Sequence, residues 1–170
     1  CTDKTGTLTE GEMRVRAAWV SDQVVVVDGR EDSIMATNGV GTVGHTAADL
    51  NEDQLDRLFE IGAVCNDATT EEGDPTERAL VTAAVDYGFD VETRRESRPR
   101  IDEVPFSSER KRMATVHHDV VYVKGAPTVV LDRSTRVLGP DGPVELDAEL
   151  YASIESQFDE FAGDALRVLG

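Results

Sequence analysis

The sequence predicts an α+β domain. Short β-prone runs lie close together in the chain: Met113–Val116 and Val120–Val123 are a few residues apart and read as a hairpin. Helical periodicity is confined to other stretches, above all the series Leu146, Leu150, Ile154, Phe158 and Phe161. A length of 170 residues can bury a substantial core and fits one domain with a fragment of another.

Alternation of Met13, Val15, Ala17 and Trp19 predicts a strand over Glu10–Val20, and Gln23–Val27 predicts a second. The glycine- and threonine-rich stretch Ile34–Thr46 reads as loop, with a short strand at Val40–Val43, and its Gly39-Val40-Gly41 spacing falls short of a dinucleotide fingerprint. Leu55, Leu58, Phe59 and Gly62 share one face of a helix over Asn51–Cys65, with Asn51 as its N-cap and Cys65 as a core residue. Asn66–Gly73 is a polar turn. A marked helix start follows at Gly73-Asp74-Pro75-Thr76-Glu77, where Asp74 can cap, Pro75 suits the first helical position and Glu77 stands where a capping box wants it. Ala79, Leu80, Ala83, Ala84 and Tyr87 supply the buried face. Gly88–Pro99 reads as charged loop and Ile101–Val104 as a strand. His117 and His118 fall on the hairpin turn, Pro127–Arg133 reads as a short helix, Gly139-Pro140-Asp141-Gly142 as a turn, and Asp164–Leu169 as a closing strand.

Acidic residues number 34 against 17 basic ones, and only Lys4, Lys111 and Lys124 are lysine. Abundant Asp and Glu, with arginine in place of lysine, fit a protein working in very high salt, where self-repulsion is screened within a few ångströms. This acidity argues against a nucleic-acid partner, which needs a basic face. Positive charge is concentrated in one place: from Arg94 to Lys124, eight basic residues stand against five acidic. Two cysteines, Cys1 and Cys65, make neither a metal-ligand spacing nor a disulfide framework. The sequence has no apolar run long enough to span a bilayer and no signal peptide, so the chain is expected to be soluble as it stands.

The basic region has a second property. Phe106 precedes Arg110, Lys111 and Arg112, and Lys124 ends the next apolar run, so a hairpin would carry the aromatic and the lysine on one sheet. An aromatic face can stack on adenine, and ammonium or guanidinium groups can meet phosphates. The alternative makes Phe106 a core residue and the basic cluster a solvated strand face.

Residues 1–9, Cys1-Thr2-Asp3-Lys4-Thr5-Gly6-Thr7-Leu8-Thr9, carry the most specific signal. An aspartate followed by a cation, hydroxyl residues and glycine supplies what an aspartyl-phosphate site needs: a carboxylate nucleophile and backbone N–H groups around phosphoryl oxygens. The run resembles the phosphorylation motif of P-type ATPases, the ion-pumping family. Soluble phosphatases of the haloacid dehalogenase type carry a second aspartate two residues on, as general acid and base; Thr5 occupies that position here.

Four further runs resemble motifs of the same family's nucleotide domain: Gly73–Leu80, Asp164–Leu169, and, in the subgroup that includes calcium pumps, Pro105–Met113 and Lys124-Gly125-Ala126-Pro127. The resemblance implies an antiparallel β-sheet flanked by helices, with residues 1–9 starting the phosphorylation domain and 10–170 forming a nucleotide-binding domain truncated at its C-terminal end. It implies Asp3 as nucleophile beside Lys4 and Thr5, with Asp3 and Thr5 at the magnesium. It makes Phe106 the adenine-stacking aromatic, Lys111 a charge near the nucleotide, Lys124 the pocket lysine and Gly125 a point of close backbone approach. Arg167 would bridge toward the β-phosphate, with Leu169 packing beside the nucleotide. Glu77 would contact adenine, whose exocyclic amine a carboxylate can accept, in competition with its capping role. Thr-Gly-Asp and Gly-Asp-Gly-x-Asn-Asp motifs, an actuator motif and membrane spans are missing, so the chain reads as an excised, cytoplasmic piece of an integral membrane pump. Its expected ligands are ATP or ADP with Mg2+, and its expected partners are the pump's remaining phosphorylation, actuator and transmembrane domains. Two other readings are a soluble aspartate-dependent phosphatase and an interaction module that keeps the fold without the ligand.

Overall fold

The computed structural model describes residues 13–20, 23–27, 34–38, 44–46, 52–139 and 141–170. Antiparallel sheets and five helices make it an α+β fold, as the sequence predicts. The chain divides into two compact units, Cys1–Glu96 and Ser97–Gly170.

In the first unit, β1 (Ala17–Val20), β2 (Gln23–Val27), β3 (Ile34–Asn38) and β4 (Gly44–Thr46) form an antiparallel meander in sequential order. The second expected early strand, Gln23–Val27, is present, while the first, expected over Glu10–Val20, is a strand only at Ala17–Val20, where β2 pairs with it. Residues 13–16 are outside the ladder, and residues 10–12 lie outside the described residues. Ile34–Asn38 and Gly44–Thr46 are strands where the sequence reads as loop, because each finds a ladder partner that its local composition does not announce: β3 pairs with β2 (Ala36 with Val25), and β4 pairs with β3 (His45 with Ala36). The strand expected at Val40–Val43 and the cap expected at Asn51 lie outside the described residues.

Helix α1 (Glu52–Val64) buries Leu55, Phe59 and Ala63 at helical spacing against Val25, Val81, Ala83, Ala84 and Val91. Leu58 falls outside that stripe and is exposed. Burial of Leu55 and Phe59 contributes about 1.5–3 kcal/mol each, and Phe59 stacks on Tyr87 at a centroid distance of 4.4 Å. Helix α2 (Pro75–Asp86) begins as the sequence predicts, with Asp74 accepting from the Thr76 N–H at 2.9 Å and Pro75 in the first turn. Cys65 is buried at the end of α1.

The stretch Val91–Ser97, expected as loop, is a helix, α3. Its sequence offers a single buried apolar residue, Val91, and therefore no periodicity to read. What holds it is polar: Asp90 accepts from the Thr93 N–H at 3.0 Å and from its hydroxyl at 2.8 Å, which holds the Asp90 carboxyl below the usual carboxylate range. Arg95 donates to the carbonyls of Ala63 and Ala68 at 2.7 and 3.0 Å, satisfying one backbone acceptor in the last turn of α1 and one beyond its end.

In the second unit, β5 (Asp102–Ser107), β6 (Arg112–Val116) and β7 (Val121–Gly125) form a three-stranded antiparallel sheet, and the expected hairpin is β6–β7. One face carries Met113, Thr115, Tyr122 and Lys124, all buried. His117 closes the hairpin, its N–H donating to the Val120 carbonyl at 2.9 Å. Its buried ring lies within hydrogen-bonding distance of the Thr115 hydroxyl (3.0 Å) and the Arg98 carbonyl (2.9 Å), so it anchors structure. Helix α4 (Pro127–Leu131) follows, then a two-stranded ribbon, β8 (Arg136–Gly139) and β9 (Gly142–Glu145), around the expected turn. Helix α5 (Ala148–Gly163) is capped by Asp147, buries Ile154, and is tied to α4 by a 2.7 Å hydrogen bond from the Tyr151 hydroxyl to Asp132.

The closing strand expected over Asp164–Leu169 is absent. Ala165, at φ 60°, ends α5 in the left-handed conformation, with its N–H on Ala162 O and the Leu166 N–H on Phe161 O. These two bonds make a Schellman closure, which interrupts any extended run from residue 164.

Candidate functional site

The cradle residues of the second unit are positioned by one irregularity in β5. Val104 pairs with Ala114, but Ser107 pairs with Arg112, so one extra residue is accommodated between them. In the register that holds at Ser107, the position opposite Met113 is Phe106, and Met113 pairs with Lys124 on β7. Without the bulge Phe106 would oppose Arg112, on the other face. Extending the Ser107–Arg112 register back by one residue would align Phe106 with Met113 and Lys124 across three strands, about 10 Å from end to end at ordinary strand spacing. Arg110 fixes the bulge by donating to the Pro105 carbonyl.

Exposure changes in one step: Phe106 is 60% exposed, while Met113 (4%) and Lys124 (9%) are both buried. The core alternative for Phe106 is thereby excluded. A large apolar ring held in solvent at the end of a row that terminates in a buried ammonium is an amphipathic platform, apolar at one end and cationic at the other. Met113 was not among the sequence candidates; only the register, which a bulge can shift by one residue, places it between the other two.

Lys111 occupies the β5–β6 turn with φ 54°, held by its N–H on the Ser107 carbonyl at 2.7 Å. Its side chain is exposed and has no hydrogen-bond or ion-pair partner among the described residues. Gly125 packs closely against its own chain. A Cβ there would lie 2.4 Å from Lys111 O and 2.6 Å from Arg112 Cβ, so the backbone that glycine admits is that of the β5–β6 turn. The next residue completes the contact: Ala126 N–H donates to Lys111 O at 2.8 Å.

Both polar backbone groups of Gly125 bond to Gly170: Gly125 N–H to Gly170 O at 2.9 Å and Gly170 N–H to Gly125 O at 3.0 Å. This bridge brings the segment containing Arg167 and Leu169 to β7. Arg167 is exposed, with no hydrogen-bond or ion-pair partner for its guanidinium among the described residues, and Leu169 is half-buried.

Glu77 stands in the first turn of α2, in the first unit. The helix cap is Asp74, and the Glu77 carbonyl accepts from Asn66 Nδ2 at 2.9 Å. Asn66, buried, also donates to Gly62 O and accepts from the Ala68 N–H, so one amide joins the end of α1 to the start of α2. Asp3, Lys4 and Thr5 lie outside the described residues. Among the described residues no group of three or more His, Cys, Asp or Glu could hold a metal ion, and no helix is long and apolar enough to cross a membrane.

Residues 54–170 match the family described as P-type ATPase, cytoplasmic domain N, and the chain belongs to that family. Calcium-transporting ATPase 1 of Lactococcus lactis is 35% identical over 179 residues, covering 99% of this chain and 18% of the relative. Calcium-transporting ATPase of Bacillus subtilis is 32% identical over 183 residues, covering 99% and 20%. The sodium/potassium-transporting ATPase subunit alpha-2 of Gallus gallus is 29% identical over 190 residues, covering 100% and 18%. The chain spans about a fifth of the length of these relatives.

Proposed function

We propose that this chain is the nucleotide-binding part of a cation-transporting P-type ATPase and that the row Phe106–Met113–Lys124 is the floor of its ATP site. The observation that carries this reading is the bulge, which turns an exposed aromatic onto the face that ends in a buried lysine. Adenine stacks on Phe106, buried Met113 packs beneath the face, and Lys124 supplies positive charge. Lys111 and Arg167, exposed and without competing partners among the described residues, are the cations for the phosphates. Glu77, in the first turn of α2, is the carboxylate that would accept from the adenine amine.

In the whole pump, on this reading, the γ-phosphoryl group of ATP is transferred to Asp3, with Lys4 and Thr5 beside it. Magnesium, with Asp3 and Thr5 among its ligands, would neutralise charge on the transferring group. The nucleotide part lies on the cytoplasmic side and works with phosphorylation, actuator and transmembrane domains. The isolated chain binds nucleotide and does little more.

Calorimetric titration of the chain with ATP, ADP and AMP tests the reading. Phe106→Ala should weaken all three alike, by about ten- to a hundredfold, because all carry the stacked ring. Its exposure makes the substitution mild for the fold. Unchanged affinity in Phe106→Ala would remove the row from the site.

A further inference from the structure

We propose that the Gly125–Gly170 backbone bridge is a positioning device that sets Arg167 against β7, so that Gly170 governs phosphate recognition without touching the nucleotide. The proposal rests on the nucleotide reading above and assigns a function to a residue that reading leaves idle.

Three observations carry it. Arg167 sits on a short span fixed at both ends. At one end Ala165 and Leu166 close α5, with N–H groups on Ala162 O and Phe161 O. At the other, Gly170 makes its two reciprocal bonds to Gly125. Only Arg167, Val168 and Leu169 lie between, and three residues held at both ends have few conformations left.

The second observation is that the bridge is joined to the cationic end of the row. Gly125 follows Lys124 directly and lies against Lys111 O and Arg112, while Ala126 N–H bonds Lys111 O. One glycine thus links the backbones that carry Lys111, Lys124 and Arg167. The third is steric: a Cβ on Gly170 would meet Pro127 Cα at 3.0 Å and Val130 Cβ at 3.4 Å, so the segment is seated closely on the start of α4. The guanidinium of Arg167 is exposed and makes no hydrogen bond or ion pair among the described residues. Its placement therefore comes from its backbone.

Gly170→Pro removes the N–H that donates to Gly125 and leaves Arg167 chemically intact. Titration with ADP and AMP reads the consequence, with circular dichroism confirming the fold. Arg167→Ala should lower ADP affinity by about tenfold while nearly sparing AMP, since a charge-assisted bond to the β-phosphate is lost. Gly170→Pro should reproduce that loss and that selectivity, and the double variant should lose no more than Arg167→Ala alone. Gly170→Ala, which keeps both hydrogen bonds and shifts the segment by a few tenths of an ångström, should show a smaller loss of the same selectivity, and it decides the matter if the proline variant does not fold. An ADP-to-AMP ratio unchanged in the glycine variants, beside a normal Arg167→Ala loss, would overturn the bridge as a positioning device. Additive losses in the double variant would overturn it too. An Arg167→Ala chain with the parent ratio would overturn the phosphate assignment itself, and this inference with it.

Discussion

Replacing Gly125 by alanine puts a methyl group where the β5–β6 turn already stands. The new Cβ would lie 2.4 Å from Lys111 O, 2.6 Å from Arg112 Cβ and 2.7 Å from Arg112 Cα. Two of these atoms are backbone, so no rotamer change can relieve the overlap. Reaching even 3.0 Å from the oxygen requires an opening of about 0.6 Å, and Lys111 O is held at 2.8 Å by the Ala126 N–H, which would be stretched with it. Overpacking of this kind costs about 1–3 kcal/mol and a weakened hydrogen bond adds about 0.5–1.5 kcal/mol. At about 2–4 °C per kcal/mol for a chain of this size, Gly125→Ala should melt roughly 3–18 °C below the parent. Gly163→Ala provides the contrast. It places the same methyl group in the last turn of α5 with nothing within 4 Å, so helix propensity alone should hold or raise stability by up to about 1 kcal/mol. Thermal unfolding of both variants by circular dichroism is the assay. A Gly125→Ala melt within a degree or two of the parent would refute the packing account. If ATP affinity fell at the same time, the glycine's service would be to the nucleotide after all.

Three other outcomes follow from the structure. Ala165→Gly should raise stability by up to about 1 kcal/mol, because a left-handed residue closing a Schellman turn is cheapest as glycine; a denaturant midpoint that falls instead would contradict the φ of 60° at Ala165. Asp90→Ala should destabilise near neutral pH, and the gap to the parent should close as pH falls. The folded-state pKa of Asp90 is depressed by its bonds to Thr93, so its contribution is present above the ordinary carboxylate value of about 3.9 and is lost as pH drops through the folded value; a gap constant down to strong acid would contradict this. With a net charge of −17, the chain should melt higher as KCl rises toward molar concentration, because screening relieves self-repulsion. A melting temperature indifferent to salt would sink the high-salt reading of the composition.

Where apolar periodicity or turn chemistry is strong, the fold was legible in the chain. Leu55, Phe59 and Ala63, the Asp74-Pro75 start of α2 and the β6–β7 hairpin carry their structure locally. Helix α3 did not show itself because it is held by Asp90, Thr93 and Arg95 rather than by an apolar stripe, and β3 because its ladder partner lies elsewhere. The site divides in the same way. Phe106 and Lys124 stood out as an aromatic and a rare lysine bracketing a basic run. Their alignment through Met113 depends on an unsignalled extra residue in β5, and the service of Gly125 and Gly170 depends on which backbones they meet. Spacing along a chain reports what is periodic; a bulge and a two-bond bridge are single events in space.

The central claim is that one face of β5–β6–β7, extended by the bridged segment, receives the nucleotide. Amide chemical-shift mapping during an ATP titration tests it residue by residue. The largest changes should fall on Phe106, Met113, Lys124, Gly125 and the span Arg167–Leu169, with Glu77 responding as well, and ADP should reproduce the pattern. Changes confined to the β8–β9 ribbon or α5, or no changes at millimolar ATP, would contradict it.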